Sequence, residues 1–382
     1  MAVPWSKSAA SYLAIKDEVD AAIQRVLASG VYSGGEEVEG LEREFAAFCG
    51  TRYAVALDSG SAAILLSLLA MGIGPGDEVL SVANSCYSIP AAIAHSGART
   101  VLLDVDEESS NIDPALIGER ITPRTRAIVA VHGYGIPCLI DRVMEIARRH
   151  NLQVVEDAAV STGARYQGQR VGSFGHVGTF SLAGSKILSA FGTAGMVTTD
   201  SAEAAARVKQ LSYYGKRRQT AADGISEAYG VSNMVLGMLG YNAHMDPLQA
   251  AVLRVKLPML DGWLEARREK ARLYAQALAD LPVALPAVPP QTEPIYRGYL
   301  VRVPRRNQVL EHLHRRGIGA MVMHPPPIHL QPAFRYLGYS EGDFPVTERV
   351  SRQILSLPIY PELTEAQIGE VVDALREALA VA

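Results

Sequence analysis

Cysteine is scarce: Cys49, Cys86 and Cys138 are the only three in 382 residues. None forms a Cys-x-x-Cys pair, so neither a disulfide framework nor a structural zinc site is expected. Long apolar runs are missing as well. The best candidate for a membrane span, Ser61 to Gly72, is only about a dozen residues long and reads as a buried helix. The chain has no excess of positive charge, with 36 Lys and Arg against 40 Asp and Glu and a formal net charge of −4. Its basic residues are scattered, so nucleic acid and anionic membranes are not expected partners. The start, Met1-Ala2-Val3-Pro4-Trp5-Ser6-Lys7, lacks the apolar core of a signal peptide. There is no internal repeat and no low-complexity tract. These absences predict a soluble, cytoplasmic protein.

What is present is an ordinary globular composition, 48% hydrophobic and 20% charged. The length exceeds what one compact core accommodates and predicts two domains. Tyr12, Ile15, Val19, Ile23 and Val26 recur at helical spacing, and Gly30 stops that helix. From residue 52 short apolar runs alternate with helical stretches: Tyr53–Leu57, Glu78–Val82, Thr100–Leu103, Ala127–Val131 and Leu152–Val155. Such runs between helices predict a mostly parallel sheet covered on both faces. His176–Phe180 and Met196–Thr199 read as a closing pair of strands. A long helical stretch from Asp246 to about Leu278 carries Pro258, which kinks or divides it. A proline-rich connection over 282–290 follows, then strand, helix, loop, helix from about 297. The expected division is a large α/β domain over 1–255, with an N-terminal helical arm, and a small α+β domain over 256–382.

Ligands of parallel α/β sheets bind outside the carboxyl ends of the strands, and three segments stand there. Glu156-Asp157 closes one apolar strand. A lone acid at that place is more often a helix cap or metal ligand. Ser181-Leu182-Ala183-Gly184-Ser185-Lys186 follows another strand, although a lone lysine is usually a solvated charge. Asp58-Ser59-Gly60-Ser61-Ala62 joins a strand to an apolar helix, where free amides suit a phosphate. Together they match the needs of pyridoxal 5'-phosphate (PLP): a lysine amine, a carboxylate that keeps the pyridine nitrogen protonated, and phosphate donors.

The chain resembles the DegT/StrS family of PLP-dependent sugar aminotransferases, whose members have the aspartate aminotransferase-like, type I fold. The resemblance runs nearly end to end, through Ser33-Gly34-Gly35, Gly72-Ile73-Gly74-Pro75-Gly76-Asp77-Glu78-Val79, Val131-His132-Gly133-Tyr134-Gly135, Glu156-Asp157-Ala158-Ala159, Gly163-Ala164-Arg165-Tyr166, Phe180-Ser181, Ser185-Lys186, Gly240-Tyr241-Asn242, Leu248-Gln249-Ala250-Ala251, His329-Leu330-Gln331-Pro332 and Leu355-Ser356-Leu357-Pro358-Ile359-Tyr360-Pro361. It implies that Lys186 is the Schiff-base lysine and Asp157 the partner of the pyridine nitrogen. Gly60, Ser61 and Ser181 would hold the phosphate, with Asn242 reaching it from a partner subunit in a homodimer. The implied reaction is ping-pong transfer of an amino group from L-glutamate or glutamine to a keto sugar, foremost a nucleotide-linked keto-deoxysugar; the alternatives are an aminotransferase or other PLP enzyme acting on a keto-cyclitol or non-nucleotide keto sugar, and a non-catalytic PLP- or sugar-sensing regulator. A dehydratase branch of the fold carries histidine in place of the lysine, and Lys186 argues against it.

Departures from the pattern fall on the pocket. Cys86 stands where an aromatic ring is usual, with Tyr87 next to it. Val160 replaces a glutamine or histidine, and His244 an arginine; Gly192-Thr193-Ala194-Gly195 replaces the usual acidic glycine turn. Cys86, Tyr87 and Val160 are thus expected to border the cofactor. Tyr32, His244 and His329 are expected to bind substrate, the two histidines being equally readable as surface or interface residues.

Overall fold

Gly30 ends the first amphipathic segment in a left-handed conformation, φ 68°, that glycine adopts without a Cβ penalty. In the computed structural model, which describes residues 2–218, 234–285, 287–323 and 326–381, that segment is two helices rather than one. These are α1 (Ser8–Leu13) and α2 (Lys16–Ser29). Between them Ile15 leaves the helical path, φ −132° and ψ 31°, and buries its side chain with Val19 and Val252. After α3 (Glu36–Cys49), strands and helices alternate: β1 (Tyr53–Leu57), α4 (Gly60–Ala70), β2 (Glu78–Val82), α5 (Ser88–Ser96), β3 (Arg99–Leu103), α6 (Pro114–Arg120), β4 (Thr125–Val131), α7 (Ile140–Arg149) and β5 (Gln153–Asp157). The hairpin β6 (Arg165–Tyr166) and β7 (Gln169–Arg170) precedes β8 (Val177–Ser181), β9 (Gly195–Thr199) and α8 (Ala202–Ser212).

Seven of these strands form one sheet in the order β1-β9-β8-β5-β4-β2-β3. Only β9 is reversed; it pairs antiparallel with both β1 and β8, while the other pairs are parallel. The continuous apolar runs are explained by burial on both faces, β2 and β9 being buried at every position. The apolar stretch at 61–72 is the buried helix α4, which packs Ile64, Leu66 and Leu68 into the main core. Among the described residues no helix is long and apolar enough to cross a membrane.

Two short strands, β10 (Lys216–Arg218) and β11 (Met234–Leu236), pair antiparallel. The helical stretch at 246–278 divides at Pro258 into α9 (Pro247–Lys256) and α10 (Leu260–Ala277), joined by a 3₁₀ turn. Residue 286 of the proline-rich connection lies outside the described residues. Beyond it come β12 (Thr292–Glu293), which extends the β6–β7 hairpin, β13 (Tyr299–Arg302), α11 (Arg306–Arg315), α12 (Pro345–Gln353), β14 (Ile354–Leu357) and α13 (Glu365–Val381). The antiparallel pair β13–β14 is a strand richer than the pattern predicts. The cores change over inside α10: Leu260 and Leu264 pack with the large domain, Ala271 and Tyr274 with the small one. Val3 also belongs to the small core, so the N-terminal segment straps back onto the C-terminal domain.

Candidate active site

At the carboxyl edge of the sheet, the loops after β1, β2, β4, β5 and β8 converge on one cavity of about 250 Å³. Gly60 and Ser61, Cys86 and Tyr87, Asp157 and Val160, Ser181 and Lys186 all line it. Four separate stretches of sequence are therefore brought together, at the place where open parallel sheets bind ligands.

Lys186 is carried on the loop between β8 and β9. That loop folds back on itself through Leu182 N–H to Ala194 O, Gly184 N–H to Gly192 O and Ala190 N–H to Leu182 O, each 2.8 Å. Helix α9 pins its far end: Phe191 N–H donates to Gln249 Oε1 at 2.8 Å, and the buried Lys256 ammonium donates to Ser189 O at 2.6 Å. So anchored, the Lys186 side chain is positioned by backbone and not by its own contacts. Burial, reinforced by the Arg297 guanidinium, pulls its amine below the usual lysine range, against the opposing pull of Asp157 and Cys86. A depressed pKa leaves more neutral amine to act as a nucleophile.

Asp157 closes β5 and is 4% exposed. Its Oδ1 accepts from Ala159 N–H at 2.9 Å, and Oδ2 makes no hydrogen bond among the described residues. Burial raises its carboxyl above the ordinary aspartate value, the Ala159 amide, Lys186 and His132 only partly opposing it. A carboxylate in that state gains most from a cationic donor arriving on Oδ2. The support beneath it is polar and complete. Glu156, fully buried, accepts from the amides of Gly172, Phe174 and Gly175 at 2.8, 2.7 and 2.7 Å and meets His132 Nε2 at 3.0 Å. Cys138 N–H donates to His132 Nδ1, so Nε2 carries the proton toward Glu156.

The opposite wall is the start of α4. Ser59 caps it, its hydroxyl accepting from Ala62 N–H, while the amides of Gly60 and Ser61 have no intrahelical acceptor. A Cβ on Gly60 would lie 2.7 Å from Ser181 Cβ, so glycine is what lets this helix end approach β8 and Ser181. Free first-turn amides, a helix N-terminus and flanking hydroxyls form an anion cradle. The residues present thus fit PLP at each end: cradle, acid and amine.

Other predicted residues lie elsewhere. Asn242 is exposed and lines a neighbouring cavity of about 440 Å³ that shares Ser59, Ser61 and Tyr87 with the first. His244 stacks on Tyr213 at 4.2 Å, with its Nε2 3.1 Å from Ser33 Oγ, and does not line the Lys186 cavity. His329 is buried against Phe344 and pairs with Glu348 at 3.0 Å, in the small domain. Tyr32 is exposed, its hydroxyl donating to Leu27 O. Cys86 and Tyr87 both border the cavity, Tyr87 being 69% exposed at its mouth. Among the lining residues outside the expected set are Tyr134 and Asn84. Tyr134, held at φ 61°, donates its hydroxyl to Asn84 Oδ1 at 3.0 Å, and both follow strand ends. The strand-end rule that found Asp157 would have found them too.

The model of the DegT/DnrJ/EryC1/StrS aminotransferase family matches residues 13–376. A dTDP-3-amino-3,4,6-trideoxy-alpha-D-glucose transaminase of Streptomyces venezuelae is 41% identical over 98% of this chain and 96% of its own. A pleiotropic regulatory protein of Geobacillus stearothermophilus is 36% identical over 99% and 98%. The crystal structure of DesV from S. venezuelae, in complex with a ketimine intermediate, superposes with a TM-score of 0.92 at 42% identity, covering 98% of both chains.

Proposed function

Since the chain belongs to the DegT/DnrJ/EryC1/StrS aminotransferase family and takes PLP as cofactor, we propose that it moves an amino group from L-glutamate or glutamine to the keto carbon of a nucleotide-linked deoxysugar. One observation carries this reading: the Lys186 amine, the Asp157 carboxylate and the free amides of α4 face a single cavity. When bound, PLP supplies an electron sink for the carbon that loses a proton and stores the amino group between the two substrates. Asp157 would hold a proton on the pyridine nitrogen, the α4 amides with Ser181 would hold the phosphate, and Lys186 would hold the cofactor and serve as the base at the substrate carbon. Tyr134, hydrogen-bonded to Asn84, forms one wall of the cavity.

The protein works as a homodimer in the cytoplasm on this reading. Exposed Tyr87, Leu239 and Tyr241 supply apolar surface that favours a partner, and Asn242 stands on the outward side of the cavity wall. The sensing role, which the name of one relative raises, is disfavoured by the complete set of reacting groups.

Borohydride reduction of the purified yellow protein should fix the cofactor to Lys186. L-Glutamate should bleach the chromophore and release 2-oxoglutarate, and a panel of dTDP- and UDP-linked keto sugars should restore it, ahead of keto-inositols. Label on another lysine, or a chromophore that no amino acid bleaches, overturns the proposal.

A further inference from the structure

Lys256, the last residue of α9, is 1% exposed, and no acid among the described residues pairs with it. Lysines are almost never buried in that way. Its Nζ donates to Ser189 O at 2.6 Å and to Ser189 Oγ at 3.3 Å, and stands 4.4 Å from the centroid of the Phe191 ring. Both partners belong to the loop that carries Lys186, three and five residues beyond it. The charges on the surrounding elements are engaged elsewhere. On α2, Asp20 holds Lys16 and Tyr12; on α3, Glu37 and Glu44 hold Arg254. On α10, Asp261 holds Arg170, and Arg267 donates to the carbonyls of Tyr296 and Ile359. Burial is therefore the one influence on the Lys256 amine, and it pulls the amine down to about 8. A methionine would fill the same space without burying a charge, so what the ammonium adds is its hold on the loop.

We propose that Lys256 is a positioning residue: its ammonium clamps the loop and sets the place of the Lys186 amine, and loss of its proton loosens the clamp. This deepens the aminotransferase reading and rests on it for Lys186 as the residue that captures PLP. The loop is otherwise held by neutral contacts. Leu188 and Ala190 pack in the core with Leu253 and Leu257, Phe191 N–H donates to Gln249 Oε1, and the Phe191 ring meets Tyr12 edge-on at 5.5 Å. A charged donor makes a hydrogen bond roughly twice as strong as a neutral one, and the face of an aromatic ring attracts a cation. A neutral Lys256 amine keeps the weaker bond to Ser189 and loses the attraction of Phe191. Three residues span at most about 10 Å, so slack at Ser189 is transmitted to Lys186 directly.

The test follows capture of PLP by the full-length, cofactor-free protein. The Lys186 amine adds to the aldehyde, water leaves, and the imine is read by its absorbance. The wild-type rate should rise with pH as Lys186 loses its proton, then fall roughly five- to tenfold as Lys256 loses its own near about 8. Lys256→Met should be slower by that factor at neutral pH and lack the falling limb. It should still bind pyridoxamine 5'-phosphate, which forms no imine, with the wild-type Kd. Phe191→Leu keeps the ammonium and removes the ring, so its falling limb should move to lower pH by roughly half a unit to one unit. That variant decides the matter should Lys256→Met not fold. A wild type that captures PLP with no fall between about pH 7 and 9.5 overturns this proposal alone. So does a Lys256→Met protein that keeps the fall, or one that loses pyridoxamine 5'-phosphate to the same extent as PLP. A wild type that captures no PLP at any pH overturns the assignment of Lys186, and this proposal with it.

Discussion

Gly60→Ala isolates the anion cradle, because a single methyl group is added at the contact between α4 and β8. Its carbon would lie 2.7 Å from Ser181 Cβ and 3.1 Å from Ser181 Cα. Ordinary carbon contacts sit near ~3.5–4.0 Å, so the helix end and the strand must part by about 1 Å. Overpacking of that size destabilises by ~1–3 kcal/mol. The functional loss is distinct, since a 1 Å shift, on the order of the whole tolerance of an N–H···O bond, takes the Gly60 and Ser61 amides off a phosphate oxygen. Each charge-assisted bond lost weakens PLP binding by ~1.5–3 kcal/mol, roughly ten- to a hundredfold. Titration of the cofactor-free variant with PLP, followed by absorbance, reads the affinity, and urea denaturation reads the stability. Gly262→Ala is the control: it stands in α10 with nothing within 4 Å of its added Cβ, and should gain ~0.5–1 kcal/mol. A Gly60→Ala protein that binds PLP as wild type does would refute the assignment of this helix end to the phosphate.

Glu156→Gln should cost ~3–5 kcal/mol in urea denaturation, because an amide N–H₂ is turned toward donors that the carboxylate accepted, three backbone amides and His132; a loss below about 1 kcal/mol would show that the loop 172–175 simply moves away. Asp157→Asn should retain cofactor and lose most of the half-reaction, yet stabilise the cofactor-free protein near neutral pH. Its folded carboxyl lies above the unfolded value of 3.8, so the folded state keeps the proton longer and stability falls as pH rises through the folded pKa; the variant's denaturation profile from pH 4 to 8 should be flatter, and equal slopes would contradict this. In Arg297→Gln the Lys186 amine loses a neighbouring cation, so its pKa rises and the pH midpoint for capture of PLP by the cofactor-free protein should move upward; an unmoved midpoint would mean that burial alone sets that amine.

The sheet and most of the cavity were legible in the sequence for one physical reason. Parallel strands buried on both faces are written as continuous apolar runs, and their ends show where ligands bind. Asp157, Gly60 and Lys186 were found by that rule. What was not legible depends on approach in space. Nothing around Ile15 marks a helix break, because its departure answers to Val252, more than two hundred residues away. β14 lies in a short apolar run whose partner, β13, is more than fifty residues earlier. Arg297 looks like any surface arginine before a strand; only the strap of residues 2–7, which brings Trp5 across it, makes it a buried cation. The histidines at 244 and 329 were readable either as pocket or as surface or interface residues; here they pack on Tyr213 and pair with Glu348, outside the Lys186 cavity of this chain.

The charges around the cavity are each disfavoured in the protein alone. Burial lifts the Asp157 carboxyl, lowers the Lys186 amine and sets Arg267 against Arg297. The Glu156–His132 pair beneath is hydrogen-bonded on both sides, so these penalties do not come from an unpaired support. They share a direction: on the aminotransferase reading the pyridinium proton would offset the cost at Asp157, and the cofactor would take up the Lys186 amine in its neutral form. A site strained in this way binds its cofactor with energy that the empty protein lacks, and by linkage the cofactor stabilises the fold as it binds. The same arrangement accounts for the division of labour between domains. On the proposed reading the large domain contributes the acid, the amine and the cradle, while Arg297 and Arg267, which border the Lys186 loop, come from the small domain.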